Sequence, residues 1–262
     1  MIDLTGKTAI MMCGMNALAG GVAQRLSTAG TEIIFAHLPD DEAQAKSLAS
    51  EISAGNKPAR TTPISFLNPE QLKLQIARLG PADIVVITPS YFAFSAFMES
   101  SPSHWDDALA RNYEQAVYVS QAAARHLIVQ GKGGRIIFLT SVAALMPLIN
   151  RSAVGTALAA LRALAKMAAV DLAPHGITVN TVAAAWVEAE WTAKFLTPEG
   201  RAYLEEDIPV GRISTPQEIG DVCCFLASDL AAYVTGVTIP VDGGYLLTRA
   251  KVGKLPYPPE GG

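Results

Sequence analysis

The stretch Gly133-Gly-Arg-Ile-Ile-Phe-Leu-Thr-Ser141-Val-Ala-Ala begins at a glycine pair, continues through an apolar run and ends at a serine. The run at 135–140 is rich in β-branched and aromatic residues, which indicates a buried strand. It lies between two long helical patterns, at 104–130 and 154–173. A strand between helices is typical of a parallel sheet, because each helix returns the chain to the same end of the sheet.

The same alternation extends in both directions along the chain. Strands are expected at 8–13, 32–37, 84–88, 135–140, 177–182 and 237–241, and helices at 19–29, 40–54, 69–78, 104–130, 154–173 and 216–228. No linker or repeat divides this pattern. The sequence therefore predicts an α/β fold with one domain over residues 1–250, a Rossmann-type doubly wound parallel sheet with helices on both faces. Residues 251–262, which are rich in Pro and Gly, are expected to form a tail.

Composition narrows the classes of function. The 262 residues carry 20 Lys and Arg against 24 Asp and Glu, so no basic surface for nucleic acid is expected. The most apolar helical stretch, at 152–173, is interrupted by Arg162, Lys166 and Asp171, so no membrane span is expected either. With three cysteines, no metal-ligand spacing and no apolar leader, the chain is predicted to be cytoplasmic, without disulfides or a bound metal.

A series of motifs beyond residues 133–144 resembles one known family. These motifs are Leu172-Ala-Pro-His-Gly-Ile-Thr-Val-Asn180, Pro209-Val-Gly-Arg212, Phe225-Leu-Ala-Ser-Asp229, Tyr233-Val-Thr-Gly236 and Val241-Asp-Gly-Gly244. From about residue 4 to residue 245, the chain is similar to the short-chain dehydrogenase/reductase family. For a typical member, the resemblance implies hydride transfer between a nicotinamide cofactor and a substrate oxygen function.

The resemblance also implies four catalytic positions. Asn112 and Ser141 match the family's water-holding Asn and carbonyl-orienting Ser. The family's proton-exchanging Tyr falls at Val154, and the Lys that holds the nicotinamide ribose falls at Leu158. Neither side chain can carry a proton, and the wider Tyr-to-Lys spacing of the enoyl reductases does not restore the pair. No catalytic site is expected to be intact, with Asn112 and Ser141 as remnants that satisfy backbone groups, and Lys166 is expected on the surface.

The cofactor positions depart from the family in the same way. The family's glycine-rich turn lets backbone N–H groups approach the pyrophosphate of a dinucleotide at a helix N-terminus. Its glycines fall at Cys13, Ala17 and Ala19, and its ribose-binding Asp falls at His37. A solvent-facing or hydrogen-bonded role is expected for His37, rather than a role as ligand or base.

Further departures concern the same pocket. A register shifted by one residue recovers Gly14 and Gly20 but places Leu18 between them. The other replacements are Ser65 for the Asp near the adenine, Ile87-Thr-Pro-Ser90 for Asn-Asn-Ala-Gly, Ala184-Ala185 for Pro-Gly, and Ala189 for the Thr that holds the carboxamide. The sequence therefore predicts that this chain binds no cofactor.

The loss of two separate sites from an intact scaffold predicts a pseudoenzyme. Its expected role is to support an active paralogue in a hetero-oligomer, as a heterotetramer, in which the paralogue binds NAD and oxidises a hydroxyacyl-CoA. The patterns at 104–130 and 154–173 correspond to the family's main dimer-forming helices, and the Ala-rich second helix favours close approach of another subunit. The alternative is that these alanines pack only on their own sheet. The tail is expected to dock on a neighbour through Leu255 and Tyr257, with terminal disorder as the alternative.

Two other classes of function stay open. One is a stand-alone binding or regulatory protein whose cleft accepts a different small molecule. The other is an enzyme with new chemistry, as in the family's halohydrin dehalogenases, which bind a halide in place of the dinucleotide but keep a Tyr base. The absence of any Tyr between Tyr118 and Tyr203 disfavours this third class.

Overall fold

The computed structural model describes residues 2–55, 58–66 and 68–248. Their strands are β1 (Thr8–Cys13), β2 (Glu32–His37), β3 (Ala59–Pro63), β4 (Ile84–Thr88), β5 (Gly134–Ser141), β6 (Ile177–Ala184) and β7 (Thr238–Val241). All pair in parallel in one sheet, in the order β3-β2-β1-β4-β5-β6-β7. Because the order reverses between β1 and β4, a crevice for ligands is expected outside the carboxyl ends of these strands.

Helices cover both faces of this sheet. They are α1 (Ala17–Thr28), α2 (Glu42–Ala54), α3 (Pro69–Ala77), α4 (Pro102–Leu109), α5 (Gln115–Gln130), α6 (Ser152–Leu172), α7 (Pro198–Asp207), α8 (Pro216–Ala227) and α9 (Tyr245–Thr248). Helices α1, α2 and α8 share one hydrophobic core with the sheet, and α3 to α6 share another. Residues of α7 and α9 form a smaller third cluster. The predicted doubly wound α/β fold is confirmed.

The structure adds β3, α7 and the short α9 to the predicted elements and divides the helix expected at 104–130. Strand β3 was not predicted, because this edge strand pairs only with β2 and its residues stay half exposed. Helix α7 was not predicted either, because Leu204 is its only buried residue and its apolar pattern is therefore weak. The single helix expected at 104–130 is interrupted between α4 and α5 by a π-helical turn, Ala110–Glu114.

Helix α6 has an apolar composition, and only one side of it packs inside the domain. By length and composition alone, Ser152–His175 is apolar enough to cross a membrane. In the fold, Ala157, Leu158 and Leu161 are buried against the sheet. The opposite side of the helix exposes two more apolar residues, Met167 at 66% and Val170 at 74%. One side of α6 is thus a core surface and the other is an open apolar surface.

Two further predictions concern the cysteines and the tail. Cys13, Cys223 and Cys224 are free and buried, as expected for small apolar residues in a core. Burial raises the pKa of the Cys224 thiol to about 12. In the described ranges, no cluster of His, Cys, Asp and Glu could hold a metal ion. The tail at 251–262, with Leu255 and Tyr257, lies outside the described residues.

The start of α8 makes a pH-dependent contribution to stability. Thr215 and Glu218 form a capping box, and Arg212 Nη1 donates to Glu218 Oε2 at 2.8 Å. The Arg212 guanidinium and the Thr215 backbone N–H lower the pKa of Glu218 to about 2. Because this folded-state pKa is depressed, the contribution is complete above about pH 4.3 and is lost as the pH falls toward 2.

Replacing this carboxylate tests that contribution. Glu218→Gln should lower the free energy of unfolding at pH 7 by about 1 kcal/mol, since the ion pair is partly solvated. The difference from the wild type should shrink as the pH is lowered from 5 to 3, as measured by thermal unfolding followed by circular dichroism. A difference that does not change with pH would contradict the assignment.

Candidate functional site

A cleft of about 370 Å³ lies at the carboxyl ends of β4, β5 and β6. Residues of α6, α7 and α9 complete its lining. Its walls are unusually aromatic, with the side chains of Phe92, Phe94, Trp186, Trp191, Phe195, Tyr203 and Tyr245. This edge of a parallel α/β sheet is where ligands bind, so the cleft is the candidate functional site.

The structure brings three of the predicted catalytic positions together in this cleft. Ser141 ends β5, and Val154 and Leu158 lie one turn apart on α6, all three in the cleft lining. The side chain of Val154 is 4% exposed and that of Leu158 is fully buried. Ser141 Oγ accepts a hydrogen bond from the Ala143 backbone N–H at 3.2 Å. The three positions that the resemblance implies for Ser, Tyr and Lys thus line one cleft, and the residues at the last two positions are Val154 and Leu158.

Asn112 is placed by the π-helical turn and holds the loop after β4. Its Oδ1 accepts from the backbone N–H groups of Ser90 and Tyr91, each at 3.0 Å, and its Nδ2 donates to Tyr91 O at 2.8 Å. The side chain is 1% exposed. These three contacts satisfy buried backbone groups, which is the structural role expected from the sequence.

In the turn between β1 and α1, Cys13 has a backbone conformation that is typical of glycine. Cys13 has a φ of 73°, in the left-handed region that glycine adopts at little cost, and α1 begins at Ala17. Cys13 thus adopts a backbone conformation that favours glycine. Gly14 has a packing reason, because a Cβ there would lie 2.3 Å from Pro89 O. The register that recovers Gly14 is therefore not needed to explain that glycine.

The N-terminus of α1 is capped by the side chain of Asn16. Asn16 Oδ1 accepts from the backbone N–H of Leu18 at 3.1 Å and of Ala19 at 3.2 Å. Two donors that an anion at this helix N-terminus would use are already hydrogen-bonded. The Leu18 side chain is 2% exposed and forms part of the cleft wall.

The remaining cofactor positions have structural partners. His37 is fully buried at the end of β2, where Nδ1 lies 2.7 Å from Leu38 O, so the expected hydrogen bond is present and the solvent-facing alternative is wrong. Burial, which outweighs the effect of Arg111, raises the pKa of nearby Asp41. The backbone N–H of Ser65 donates to Gln75 Oε1 at 3.0 Å.

The loop after β6 also forms hydrogen bonds between its own residues. The Ala189 backbone N–H donates to Thr192 Oγ1 at 3.1 Å, and that hydroxyl lies 2.6 Å from Val187 O. Thr192 is buried, and it stabilises the turn that begins at Ala189, where Ala replaces the family's Thr. The sequence reasoning did not identify this residue, since a single Thr in an irregular loop carries no distinctive pattern.

The sequence reasoning also missed the cation in the cleft. Arg151, immediately before α6, places its guanidinium carbon 3.2 Å from the centroid of the Phe94 ring. Arg151 Nη1 donates to Phe92 O at 2.9 Å. Burial lowers the pKa of this guanidinium to about 10. The available signal was the concentration of aromatic residues at 91–94 and 186–195, which meet only in the folded chain.

Two tyrosines of the lining come from distant parts of the chain. Tyr203 lies on α7 and Tyr245 begins α9, where it is 2% exposed. Sequence reasoning considered only a Tyr near the position of Val154. Both residues line the cleft, although neither lies at the sequence position of the family's catalytic Tyr.

Comparison with known proteins agrees with the strand order and the motifs. A family model described as enoyl-(acyl carrier protein) reductase matches residues 14–246. The L-rhamnose-1-dehydrogenase of Scheffersomyces stipitis is 31% identical over 248 residues, with 92% of this chain and 96% of that protein covered. The 3-oxoacyl-(acyl-carrier-protein) reductase of Aquifex aeolicus is 30% identical over 250 residues, with coverages of 93% and 98%.

Solved structures show the same architecture. An acetoin dehydrogenase from Salmonella typhimurium is 30% identical with a TM-score of 0.81, and the match covers 94% of this chain and 99% of that one. A gluconate 5-dehydrogenase from Burkholderia cenocepacia, solved with NADP and tartrate, is 26% identical with a TM-score of 0.85 and coverages of 94% and 97%. The matches to these oxidoreductases cover nearly the whole chain, in sequence and in fold. The chain therefore belongs to the short-chain dehydrogenase/reductase family.

Proposed function

We propose that this chain is a non-catalytic subunit that supports an active paralogue of its own family in an NAD-dependent hydroxyacyl-CoA dehydrogenase. The observation that carries the proposal is the pair Val154 and Leu158, which lie beside Ser141 in the cleft. Acid–base catalysis needs a titratable group within hydrogen-bond reach of the reacting oxygen. Aliphatic side chains at these two positions can neither exchange that proton nor bind a ribose hydroxyl.

The turn before α1 does not fit a dinucleotide held as the family holds it. Ala17 and Ala19 add methyl groups where the family has glycines, and Asn16 occupies two of the backbone donors. At the end of β2, the buried His37 supplies no carboxylate for a ribose. In the proposed complex, NAD is therefore bound by the paralogue and this chain binds none.

The purified chain should show no measurable binding of NAD(H) or NADP(H) by isothermal titration calorimetry. The double variant Val154→Tyr with Leu158→Lys should still oxidise no alcohol, because hydride transfer also requires a positioned nicotinamide. An active relative of the family, titrated under the same conditions, is the positive control. Micromolar binding that is lost on Ala19→Leu would place the cofactor at this turn and overturn the proposal.

The open side of α6 is the proposed contact with the paralogue. Ala163, Met167 and Val170 are exposed there, and Ala159 and Ala160 are half-buried beside them. Small residues on a helix surface let a second helix approach closely. An exposed apolar strip on a central helix is typical of a subunit contact. The outer side of α5 is more polar, so we place the centre of this contact on α6.

The substrate class comes from the family resemblance. One relative, the reductase of Aquifex aeolicus, is named for an oxoacyl substrate. The most specific form of the proposal is a cytoplasmic heterotetramer that oxidises 2-(hydroxy(phenyl)methyl)succinyl-CoA to benzoylsuccinyl-CoA, as in anaerobic toluene degradation. Turnover of this thioester with NAD by the purified complex tests that form. A complex that oxidises only unrelated alcohols would contradict it.

A second candidate function is ligand binding by this chain alone, without redox chemistry. The specific observation in its favour is the aromatic cleft with Arg151 in its wall. The two candidates differ in which subunits and which small molecules are found in the natively purified protein. A stoichiometric paralogue supports the first, and a homo-oligomer that retains a small molecule supports the second.

A further inference from the structure

We propose that the cleft binds a small aromatic carboxylic acid, with the carboxylate paired to Arg151 and the ring packed among the aromatic walls. The site differs from the family's catalytic chemistry, because it uses neither a nicotinamide nor the Tyr and Lys positions. It goes beyond the supporting role proposed above, since binding an acid requires neither the paralogue nor NAD.

Arg151 carries a positive charge that no acidic residue in the described part of the chain neutralises. In the described part of the chain, no Asp or Glu forms an ion pair with this guanidinium. Its Nη1 donates to Phe92 O at 2.9 Å and lies 3.5 Å from Ala93 O. Arg151 lines the cleft, and within the described ranges its hydrogen bonds are made through Nη1, one of the three nitrogens of a guanidinium that carries five N–H donors.

The free energy of this arrangement favours an anion in the cleft. A partly buried cation loses hydration, and an opposite charge with matching hydrogen bonds restores the lost interaction. Burial lowers the pKa of Arg151 only to about 10, so the group stays protonated at neutral pH. A carboxylate matches the planar fork of donors that a guanidinium presents.

Two residues that carry hydroxyl groups, Thr140 and Ser141, line the same cleft. Thr140 Oγ1 is buried and has no hydrogen-bond partner within the described ranges. Ser141 Oγ accepts from the Ala143 N–H, which leaves its own proton free to donate. A buried hydroxyl without a partner costs free energy, and a ligand oxygen would satisfy it.

The apolar part of the cleft is built for a ring. Phe92 and Trp191 stack with centroids 4.3 Å apart and planes inclined by 5°. The Phe94 and Phe195 centroids are 4.6 Å apart, and Trp186 meets Phe195 edge to face at 6.0 Å. Such walls favour a flat aromatic guest in offset or edge contact. A cavity of about 370 Å³ is in the size range of sites for small organic ligands.

The charge balance favours a carboxylate over a phosphate. Among the described residues that line the cleft, Arg151 carries the only positive charge, and the exposed Glu199 adds a negative one. The carbonyl oxygens of Phe92 and Ala93 already face the guanidinium. A phosphate dianion would need more donors than this wall provides, whereas a carboxylate needs a single charge partner.

The first test compares ligands on the wild-type full chain. We would titrate 3-phenylpropanoate, 3-phenylpropan-1-ol, hexanoate and inorganic phosphate by calorimetry and by the fluorescence of Trp186 and Trp191 in the cleft. The acid should bind about tenfold or more tightly than the alcohol, since only the acid pairs with Arg151. It should also bind more tightly than hexanoate, and phosphate should not compete. Equal affinities for acid and alcohol, or for acid and hexanoate, would overturn the proposal.

The second test assigns the effect to Arg151. Arg151→Gln should reduce the affinity for 3-phenylpropanoate to that of the alcohol and leave the affinity for the alcohol unchanged. Arg151→Lys keeps the positive charge but loses the planar pair of N–H donors, so it should give an intermediate affinity. This variant also provides a test if the Gln variant misfolds. Arg162→Gln, on the helix that follows Arg151 but outside the cleft lining, is the matched control and should bind like the wild type. Unchanged affinity in both Arg151 variants would overturn the assignment. Because these measurements follow binding and not turnover, their failure would leave the supporting role untouched.

Discussion

Ala160→Glu is expected to separate this chain from its paralogue. Ala160 is half-buried on the open side of α6, beside Ala159 and close to the exposed Ala163. If this strip packs against another subunit, the new carboxylate is buried there without a partner. Burying an unpaired charge costs about 3–5 kcal/mol, which corresponds to a loss of a hundredfold or more in affinity. Light scattering on the co-expressed pair should show two smaller species in place of the complex.

Ala43→Glu is the matched control for this experiment. Ala43 is exposed on α2, which packs on the opposite face of the sheet from α6, so the same substitution there should leave the mass of the complex unchanged. Circular dichroism should show that both variants are folded. A complex of normal mass and activity with Ala160→Glu would remove α6 from the interface. A partner that is stable and fully active alone would contradict the supporting role itself.

Asn112→Ala is expected to lower the free energy of unfolding by about 2–4 kcal/mol, because it leaves buried backbone groups of the loop after β4 without partners. The lost contacts are the two N–H groups of Ser90 and Tyr91 and the carbonyl of Tyr91. The same loop continues to Phe92 in the cleft wall, so ligand binding should weaken as well. Urea unfolding followed by fluorescence measures the change in stability.

The control for Asn112→Ala is Gln121→Ala, which removes an exposed amide on the neighbouring helix α5 and should change stability by less than about 0.5 kcal/mol. A family member that uses this Asn for catalysis would lose activity on such a substitution. In this chain, the measurable consequence is expected in stability. If both variants unfold at the same urea concentration, Asn112 does not hold the loop as described.

The sheet was predictable because its central strands are buried on both faces. Strands β1 and β4 read as continuous apolar runs, and short runs of this kind between amphipathic helices are typical of buried parallel strands. Strand β3 lacks that signal because it lies at the sheet edge, with half-exposed residues. Burial, more than intrinsic strand preference, decided which strands the sequence revealed.

The candidate site was predictable only in part. The positions Val154 and Leu158 come from the spacing after Ser141 that the family resemblance implies, and helix geometry places residues four apart on one face of α6. Arg151 and the ring of Trp191 come from segments with no common pattern, and only the tertiary fold brings them to one cleft. The sequence therefore indicated which groups are missing from the family's site, and the structure was needed to find the groups that line it now.

The most direct test of the supporting role is native mass spectrometry of the tagged full chain, purified under mild conditions from its source organism. We expect equal numbers of this 27.6 kDa chain and of a paralogue that keeps the Tyr and Lys, with one NAD bound for each pair of chains. Dehydrogenase activity should follow the paralogue and disappear when its Tyr is replaced by Phe. A homo-oligomer of this chain that binds NAD and oxidises an alcohol without any second chain would contradict the supporting role.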